Sequence, residues 1–197
     1  MPAEPHERNI DRAGAAAPAL RRAHTADLSA SDLAAIRALM TDAFAGDFDD
    51  DDFDHALGGV HVIAQGASGD VLGHAAVVQR QLAVGDRVCR VGYVEAVAVS
   101  SAAQRQGLGS ALMAAVEDIV DAAYDIGALA ASEAGMRLYR SRGWVPWEGP
   151  LRAVAAEGVV DTPDDQDCVL VFGAPIRTGA IDLGAVLVAD RRRGDPW

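Results

Sequence analysis

Residues 104–110, which read QRQGLGS, lie where an apolar strand-like run is followed by a helical pattern. Gly107 and Gly109 permit backbone angles that other residues resist, and such a segment is often only a turn. A glycine-rich loop that opens a helix also presents unpaired N–H groups and roughly half a positive charge to an anion. The segment lacks the Gly-Lys-Ser/Thr ending and the third glycine of two known phosphate loops. A turn and an anion site of another kind both stay open.

A carboxylate interrupts the apolar run before this loop. The run reads GYVEAVAV, and Glu95 is its one charged residue. A glutamate in such a place is a core group with satisfied hydrogen bonds, a group at a sheet edge, or a base in a site. Burial would raise its pKa, because the charged form loses solvation.

Charge and composition limit the classes of partner. The net charge of −12 argues against nucleic acid and suits a cationic ligand, although acidity also serves solubility. No run approaches the roughly 20 apolar residues of a membrane span, and the first residues lack a signal-peptide core. Two cysteines in separate apolar runs and five scattered histidines form no zinc-ligand pattern. We therefore expect a cytoplasmic protein with reduced thiols, no metal and no membrane partner.

The first half of the chain supplies the elements that must position these groups. Residues 1–19 are rich in alanine and proline and predict a disordered arm, which leaves residues 20–197 as a single domain. Helical spacing over 29–46 predicts an amphipathic helix. The six aspartates between positions 47 and 54 indicate a solvated loop or a short helix held by two phenylalanines. Three strand-like runs follow, at 60–65, 71–84 and 87–99, and predict an antiparallel meander.

In the second half of the sequence, the hydrophobic pattern alternates between helical and strand-like spacing. A long helix is predicted from Leu108 to a stop at Gly127, then a strand at 128–132, a helix at 133–143 and extended segments after it. The segment 180–190 is predicted to be a strand or a helix. This order predicts an α/β (α+β) fold in which helices flank both faces of a mixed, mostly antiparallel, twisted sheet.

The pattern Gln-x-x-Gly-x-Gly, residues 104–109, resembles the acetyl-coenzyme-A loop of the GCN5-related N-acetyltransferase superfamily. The resemblance implies that fold and acetyl-coenzyme A as the co-substrate. It implies that the strand before the loop binds the pantetheine arm through Val97 and Val99, and that a bulged backbone lets the Val97 amide polarise the thioester carbonyl. It places the loop at the coenzyme phosphates, through Gln104, Arg105, Gln106, Gly107, Leu108, Gly109 and Ser110.

The same resemblance gives two side chains catalytic roles. An alkyl amine attacks a thioester only when it is neutral, so a proton acceptor is needed near pH 7. Glu95, acting through water, is the candidate base. Tyr139 lies in MRLYRSRGW, on the helix where superfamily members often carry a tyrosine that protonates the departing thiolate. The alternative is that Tyr139 only packs this helix onto the sheet.

A closer resemblance is to the aminoglycoside 2'-N-acetyltransferases within that superfamily. It rests on the blocks AFAGDF, LGG, HAAVVQR, GYVE-AVAV, GAL, RLY-SRGW-PW-GP, TPDD and the ending RxGDxW. It implies a polycationic substrate bound by Glu95 and by acidic groups, with the Trp197 carboxylate as a second candidate base. The carried-over substrate residues are Asp47, Asp52, Asp165, Asp195 and Trp197.

Some assignments have rivals in the sequence. The register of Asp52 within the aspartate run is open, and Asp164 and Asp167 compete with Asp165. Serines expected after the GAL segment are replaced by alanines, which leaves Ser132. A related enzyme acting on another cationic small molecule or peptide amine, and a non-catalytic acyl-coenzyme-A sensor, remain alternatives. Relatives often form dimers, so a homodimer is also expected.

Overall fold

The computed structural model describes residues 18–197, which form ten strands and five α-helices. The strands are β1 (Ala19–His24), β2 (Val60–Gln65), β3 (Val71–Val84), β4 (Arg87–Val99), β5 (Ile126–Ala130), β6 (Val145–Pro146), β7 (Leu151–Val154), β8 (Val159–Asp161), β9 (Val169–Phe172) and β10 (Leu187–Ala189). The helices are α1 (Ala30–Ala43), α2 (Asp50–His55), α3 (Leu108–Ala123), α4 (Glu133–Ser141) and α5 (Ala174–Arg177).

The long strand β3 organises one sheet of order β6-β9-β5-β4-β3-β10-β7-β8. The first half of β3 also pairs with β2, which carries β1, and its end pairs with β10. The β4–β5 and β10–β7 pairs are parallel and the remaining pairs are antiparallel. The predicted mixed, mostly antiparallel sheet with flanking helices is therefore confirmed.

Strands β4 and β5 separate partway along their length. They pair only from Val91 to Tyr93 of β4, although β5 continues to Ala130, where it pairs with Val169 of β9. Just past that point β4 bulges, because the register against β3 shifts between His74 and Ala76. Ala96 in the bulge has a φ of +49°, which is strained for a residue with a side chain. A gap thus opens between the two strands near Glu95.

Helices cover both faces of the sheet. The amphipathic α3 buries Leu112, Met113 and Val116 on one face, and α1 buries Ile36 and Met40 on the other. Ser29 and Asp32 begin α1 with a reciprocal capping box, which satisfies two N–H groups that the first turn leaves free. The aspartate run forms the short helix α2, one of its two predicted states.

Several boundaries differ from prediction. The predicted arm at residues 1–19 lies outside the described residues except for its last two positions, and Ala19 already pairs with Gln65 in β1. Gly127 does not stop α3, because that helix ends at Ala123 and Gly127 lies within β5. Strands β1, β7 and β8 were not predicted, since β1 and β8 are mostly exposed and the four residues of β7 are too few to show a clear alternation. The segment 180–190 forms strand β10 at its end.

Two histidines are fully buried beneath α1. His61 of β2 and His74 of β3 have no exposed surface, and Nδ1 of His61 lies 2.8 Å from Nε2 of His74. Burial lowers the pKa of His61 to about 4 and that of His74 to about 3. Both rings are therefore neutral at pH 7.

The free energy of unfolding is expected to fall as the pH drops from about 6.5 towards 4. An unfolded histidine titrates near pH 6.5, so in this window the unfolded chain binds protons that the folded chain excludes. One such group changes the free energy by up to ~1.4 kcal/mol per pH unit. Urea unfolding at pH 7, 6 and 5 measures this slope.

A His61→Leu variant should show a shallower slope between pH 6 and pH 5, because one titrating group has been removed. The matched control is His55→Gln, since His55 lies on α2, where its Nε2 contacts the Arg193 carbonyl and not the buried pair. An unchanged slope in His61→Leu would contradict the prediction.

Candidate active site

Two cavities meet where β4 and β5 separate. The larger, about 590 Å³, runs along the end of β4 to the glycine-rich loop, and the smaller, about 300 Å³, lies between β4, α2 and the C-terminal segment. Four residues line both: Phe44, Val97, Ser132 and Tyr139. We call the larger cavity the groove and the smaller one the acidic pocket. A molecule in either cavity thus reaches the same junction.

The glycine-rich loop forms one end of the groove. Gly107 begins α3 with a φ of +83° and no side-chain cap, and Arg105 also has a positive φ. The first main-chain bond of α3 is donated by the Ala111 amide to the Gly107 carbonyl, so the three preceding amides are free for a ligand. A Cβ at Gly109 would lie 3.3 Å from Leu138, so glycine keeps this turn close-packed. The loop therefore fits a diphosphate group.

The predicted coenzyme residues take different positions. Gln104, Arg105, Gly107, Leu108, Gly109 and Ser110 line the groove together with Val97 and Val99. The Gln104 side chain donates to the Val99 carbonyl at 3.2 Å, so it closes the end of β4. Gln106 does not line the groove, because its side chain turns back to the Ala102 carbonyl at 3.0 Å.

Glu95 points into the acidic pocket and is paired with Arg192. The Arg192 guanidinium donates to Glu95 Oε1 at 2.5 Å, and the side chains of Arg192 and Glu95 are only 13% and 15% exposed, respectively. Burial raises the pKa of Glu95, while the charge of Arg192 opposes that rise. The Glu95 carboxylate is therefore buried and oriented by a cationic partner that was not predicted, and its role as the base stays a prediction.

Arg192 also organises the C-terminal segment. It donates to the Trp197 main-chain oxygen and to the Asp195 carbonyl, each at 2.6 Å. Its guanidinium lies 5.4 Å from the ring centre of Tyr93. The Trp197 indole is buried and donates to the Thr162 hydroxyl at 2.8 Å. This segment forms one wall of the acidic pocket.

The predicted substrate acids fall into two groups. Asp47, Asp52 and Asp195 line the acidic pocket with Glu95 and Trp197. Asp52 also caps α2 by accepting from the Asp49 amide at 3.0 Å. Asp165 is not part of the pocket wall, but it lies close enough to Asp195 that burial and this neighbouring charge raise its pKa.

Tyr139 lies at the junction of the two cavities. Its ring contacts the α4 backbone at Gly135, where an added Cβ would lie 2.7 Å from Cε2, and it packs near Trp144. Burial raises the pKa of Tyr139 to about 12, so its hydroxyl stays protonated at neutral pH. Ser132 beside it begins α4, where its hydroxyl accepts from the Gly135 amide at 3.3 Å. Tyr139 therefore packs within α4 and also lines both cavities, and its catalytic role stays a prediction.

Sequence reasoning missed several contributors to the pocket wall, among them Phe44, His55 and Arg192. The ending RxGDxW contained a signal for Arg192, since its arginine is this residue, yet nothing in the sequence paired it with Glu95. In residues 18–197, no group of three or more histidine, cysteine or acidic side chains is arranged to hold a metal ion. In the same part of the chain, no helix has the length and apolar character to cross a membrane.

Comparisons with known proteins agree with this architecture. A family model described as an acetyltransferase (GNAT) domain matches residues 24–146. The chain is 43% identical over 178 residues to an aminoglycoside 2'-N-acetyltransferase of Mycolicibacterium fortuitum, covering 90% of this chain and 91% of that protein.

Solved structures are similar in fold at much lower identity. The GNAT family N-acetyltransferase YhbS of Escherichia coli, solved in complex with CoA, is 17% identical with a TM-score of 0.60 over 87% of this chain and 89% of its own. Escherichia coli ElaA is 19% identical with a TM-score of 0.54 over 79% of this chain and 99% of its own.

Proposed function

Because the chain belongs to the GNAT family of acetyltransferases, we propose that it transfers the acetyl group of acetyl-coenzyme A to the 2'-amino group of an aminoglycoside antibiotic. Transfer is direct, within a ternary complex and without an acetyl-enzyme. The observation that carries the proposal is the meeting of the groove and the acidic pocket at Val97 and Tyr139. A donor in one cavity and an amine in the other would meet there.

The groove accounts for the donor. Its free amides at the start of α3 would bind the coenzyme diphosphate, and the end of β4 would lie along the pantetheine arm. The Val97 amide, next to the bulge at Ala96, would donate to the thioester carbonyl. Such a donor stabilises the charge that develops on this oxygen during attack.

The acidic pocket accounts for the acceptor. An aminoglycoside carries several ammonium groups, and Asp47, Asp52 and Asp195 would bind them in a pocket whose surface is more polar than apolar. Glu95, held by Arg192, would take the proton of the attacking amine through water. The main-chain oxygen of Trp197 accepts a hydrogen bond from the same Arg192 guanidinium and would help to position the substrate.

Tyr139 would act on the departing sulfur. A tyrosine with a pKa of about 12 stays protonated, but full proton transfer to a thiolate whose thiol pKa is roughly 8.5 is uphill. Hydrogen-bond donation avoids that cost and still stabilises the anion. We therefore assign Tyr139 as the donor to the thiolate, which is protonated afterwards by solvent.

Acetylation would convert an ammonium group of the antibiotic into a neutral amide, and we expect resistance in a cell as the consequence. The cytoplasmic location and the homodimer remain predictions.

Thiol release from acetyl-coenzyme A tests the function directly. Aminoglycosides with an amine at the 2' position should be turned over, and matched compounds with a hydroxyl there should not, because a hydroxyl is a far weaker nucleophile. Mass spectrometry of the product should show one acetyl group on the 2' nitrogen.

Other outcomes would point elsewhere. Equal rates on both classes would contradict the assigned regiochemistry. Turnover only of other cationic amines or basic peptides would favour a related acetyltransferase. Tight coenzyme binding with no thiol release from any amine would favour a sensor.

A further inference from the structure

A buried chain of hydrogen bonds ends at the bulge of β4. Nδ1 of His74 lies 2.7 Å from the Ala96 carbonyl oxygen, and Nε2 of His74 lies 2.8 Å from Nδ1 of His61. Nε2 of His61 lies 2.7 Å from the Thr25 hydroxyl, which accepts from the Gly58 amide at 2.8 Å. All four ring nitrogens therefore have partners, and the chain runs from the acidic pocket to the end of β1.

The direction of each hydrogen bond in this chain follows from the bond at the Ala96 carbonyl. A carbonyl oxygen only accepts, so His74 must carry its proton on Nδ1. With both rings neutral, His74 Nε2 accepts, His61 carries its proton on Nδ1, and His61 Nε2 accepts from Thr25. Both histidines are thus held in the Nδ1–H tautomer.

This chain of hydrogen bonds ends at one particular peptide unit, the one between Ala96 and Val97. The carbonyl of Ala96 and the N–H of Val97 belong to the same planar peptide, and the described chain contains no cis peptide bond. In a trans peptide the carbonyl and the N–H point in opposite directions. When His74 holds the Ala96 carbonyl, the Val97 N–H points away from the His74 ring. Val97 lines both cavities, so this is the N–H that a thioester at their junction would meet.

We propose that His74, supported by His61 and Thr25, is a positioning residue for acetyl transfer, which aims the Val97 amide at the thioester carbonyl by holding the Ala96 carbonyl. The proposal rests on the proposed function, because it concerns that reaction's electrophile. It also explains how Ala96 keeps a φ of +49°, since strained backbone persists only where its surroundings hold it.

The hydrogen bond has an electronic effect as well as a geometric one. A donor to the carbonyl of a peptide polarises that peptide and makes its N–H a better donor. Two buried histidines that only filled the core would need satisfied nitrogens but no particular carbonyl. The contact with the strained peptide beside Glu95 distinguishes the two roles.

Nuclear magnetic resonance of the ring nitrogens tests the hydrogen-bond chain and does not require an activity assay. Spectra of ¹⁵N-histidine-labelled protein should show His61 and His74 both in the Nδ1–H tautomer, although free imidazole favours Nε2–H. An Nε2–H signal for His74 would overturn the proposal, because a ring lone pair would then face the Ala96 oxygen.

Variants at His74 test the positioning role. His74→Phe removes the donor and should lower kcat about tenfold, with binding of acetyl-coenzyme A within twofold. His74→Asn keeps an N–H near the position of Nδ1 and should recover most of that loss. The Val97 amide resonance should move in His74→Phe and return towards its original position in His74→Asn. His24→Gln, which alters an exposed histidine outside the chain, should leave kcat within twofold.

The failure of this inference differs from failure of the proposed function. If no amine supports thiol release, the proposed function fails, and the tautomers and the Val97 resonance still decide whether His74 holds the peptide. If turnover is present but His74→Phe and His74→Asn lose equal activity, or neither moves the Val97 resonance, His74 is not a positioning residue.

Discussion

Replacing Tyr139 by phenylalanine is expected to lower kcat by about 10²-fold or more, while acetyl-coenzyme A binds with unchanged affinity. Loss of one donor to a developing anion typically costs about 10²–10³ in kcat. Tyr139 lines both cavities, and burial keeps its hydroxyl protonated. Single-turnover thiol release and a separate binding titration together measure the two quantities.

The phenylalanine variant isolates the hydroxyl because the ring remains. The ring contacts Gly135 and packs near Trp144, and a larger deletion would disturb both. Tyr124→Phe is the matched control, since Tyr124 packs over Gly92 and lines neither cavity. It should leave kcat within about twofold. A kcat that is unchanged in Tyr139→Phe would show that water or another group stabilises the departing sulfur.

Replacing Arg192 by glutamine is expected to lower the free energy of unfolding by about 3 kcal/mol and to lower kcat/KM as well. Removing one member of a buried ion pair leaves an uncompensated charge and costs ~3–5 kcal/mol. The lower end applies because Arg192 and Glu95 each keep some exposure, 13% and 15%. The bonds to Asp195 and Trp197 are also lost. Urea unfolding gives the first quantity.

The pH profile gives a readout that loss of stability alone would not move. The Arg192 charge opposes the burial that raises the pKa of Glu95, so its removal should raise that pKa further. A proton acceptor works only when ionised, and activity is lost as the pH falls through its pKa. The acid limb of kcat/KM should therefore move to higher pH in Arg192→Gln. An acid limb that stays in place would argue against Glu95 as the base.

Arg193→Gln is the neighbouring control. Arg193 pairs with Asp51 but its side chain is 72% exposed, and exposed pairs contribute little. We expect a loss below about 1 kcal/mol and an unchanged pH profile. A similar loss in both variants would mean that the segment as a whole, and not the Arg192–Glu95 pair, carries the stability.

Several local features of the site could be predicted from the amino-acid sequence. The glycine-rich loop between strand and helix, the carboxylate in an apolar strand and the tyrosine on the later helix depend on residues a few positions apart. Backbone propensity and hydrophobic period act over that range, so these features could be predicted. The antiparallel meander and the helices α1 and α4 could be predicted for the same reason, because their hydrophobic patterns are local.

How these features come together depends on contacts between residues that are distant in the sequence. Glu95 and Arg192 are 97 positions apart, and His61 reaches His74 through strand pairing. The strained peptide at Ala96 depends on the register of β4 against β3, in which the shift of one residue changes what each side chain faces. Asp165 was predicted in the pocket and lies beside it, because its loop is placed by contacts with Thr162 and Trp197. Register and long-range packing are collective properties of the folded chain, so no short stretch of sequence specifies them.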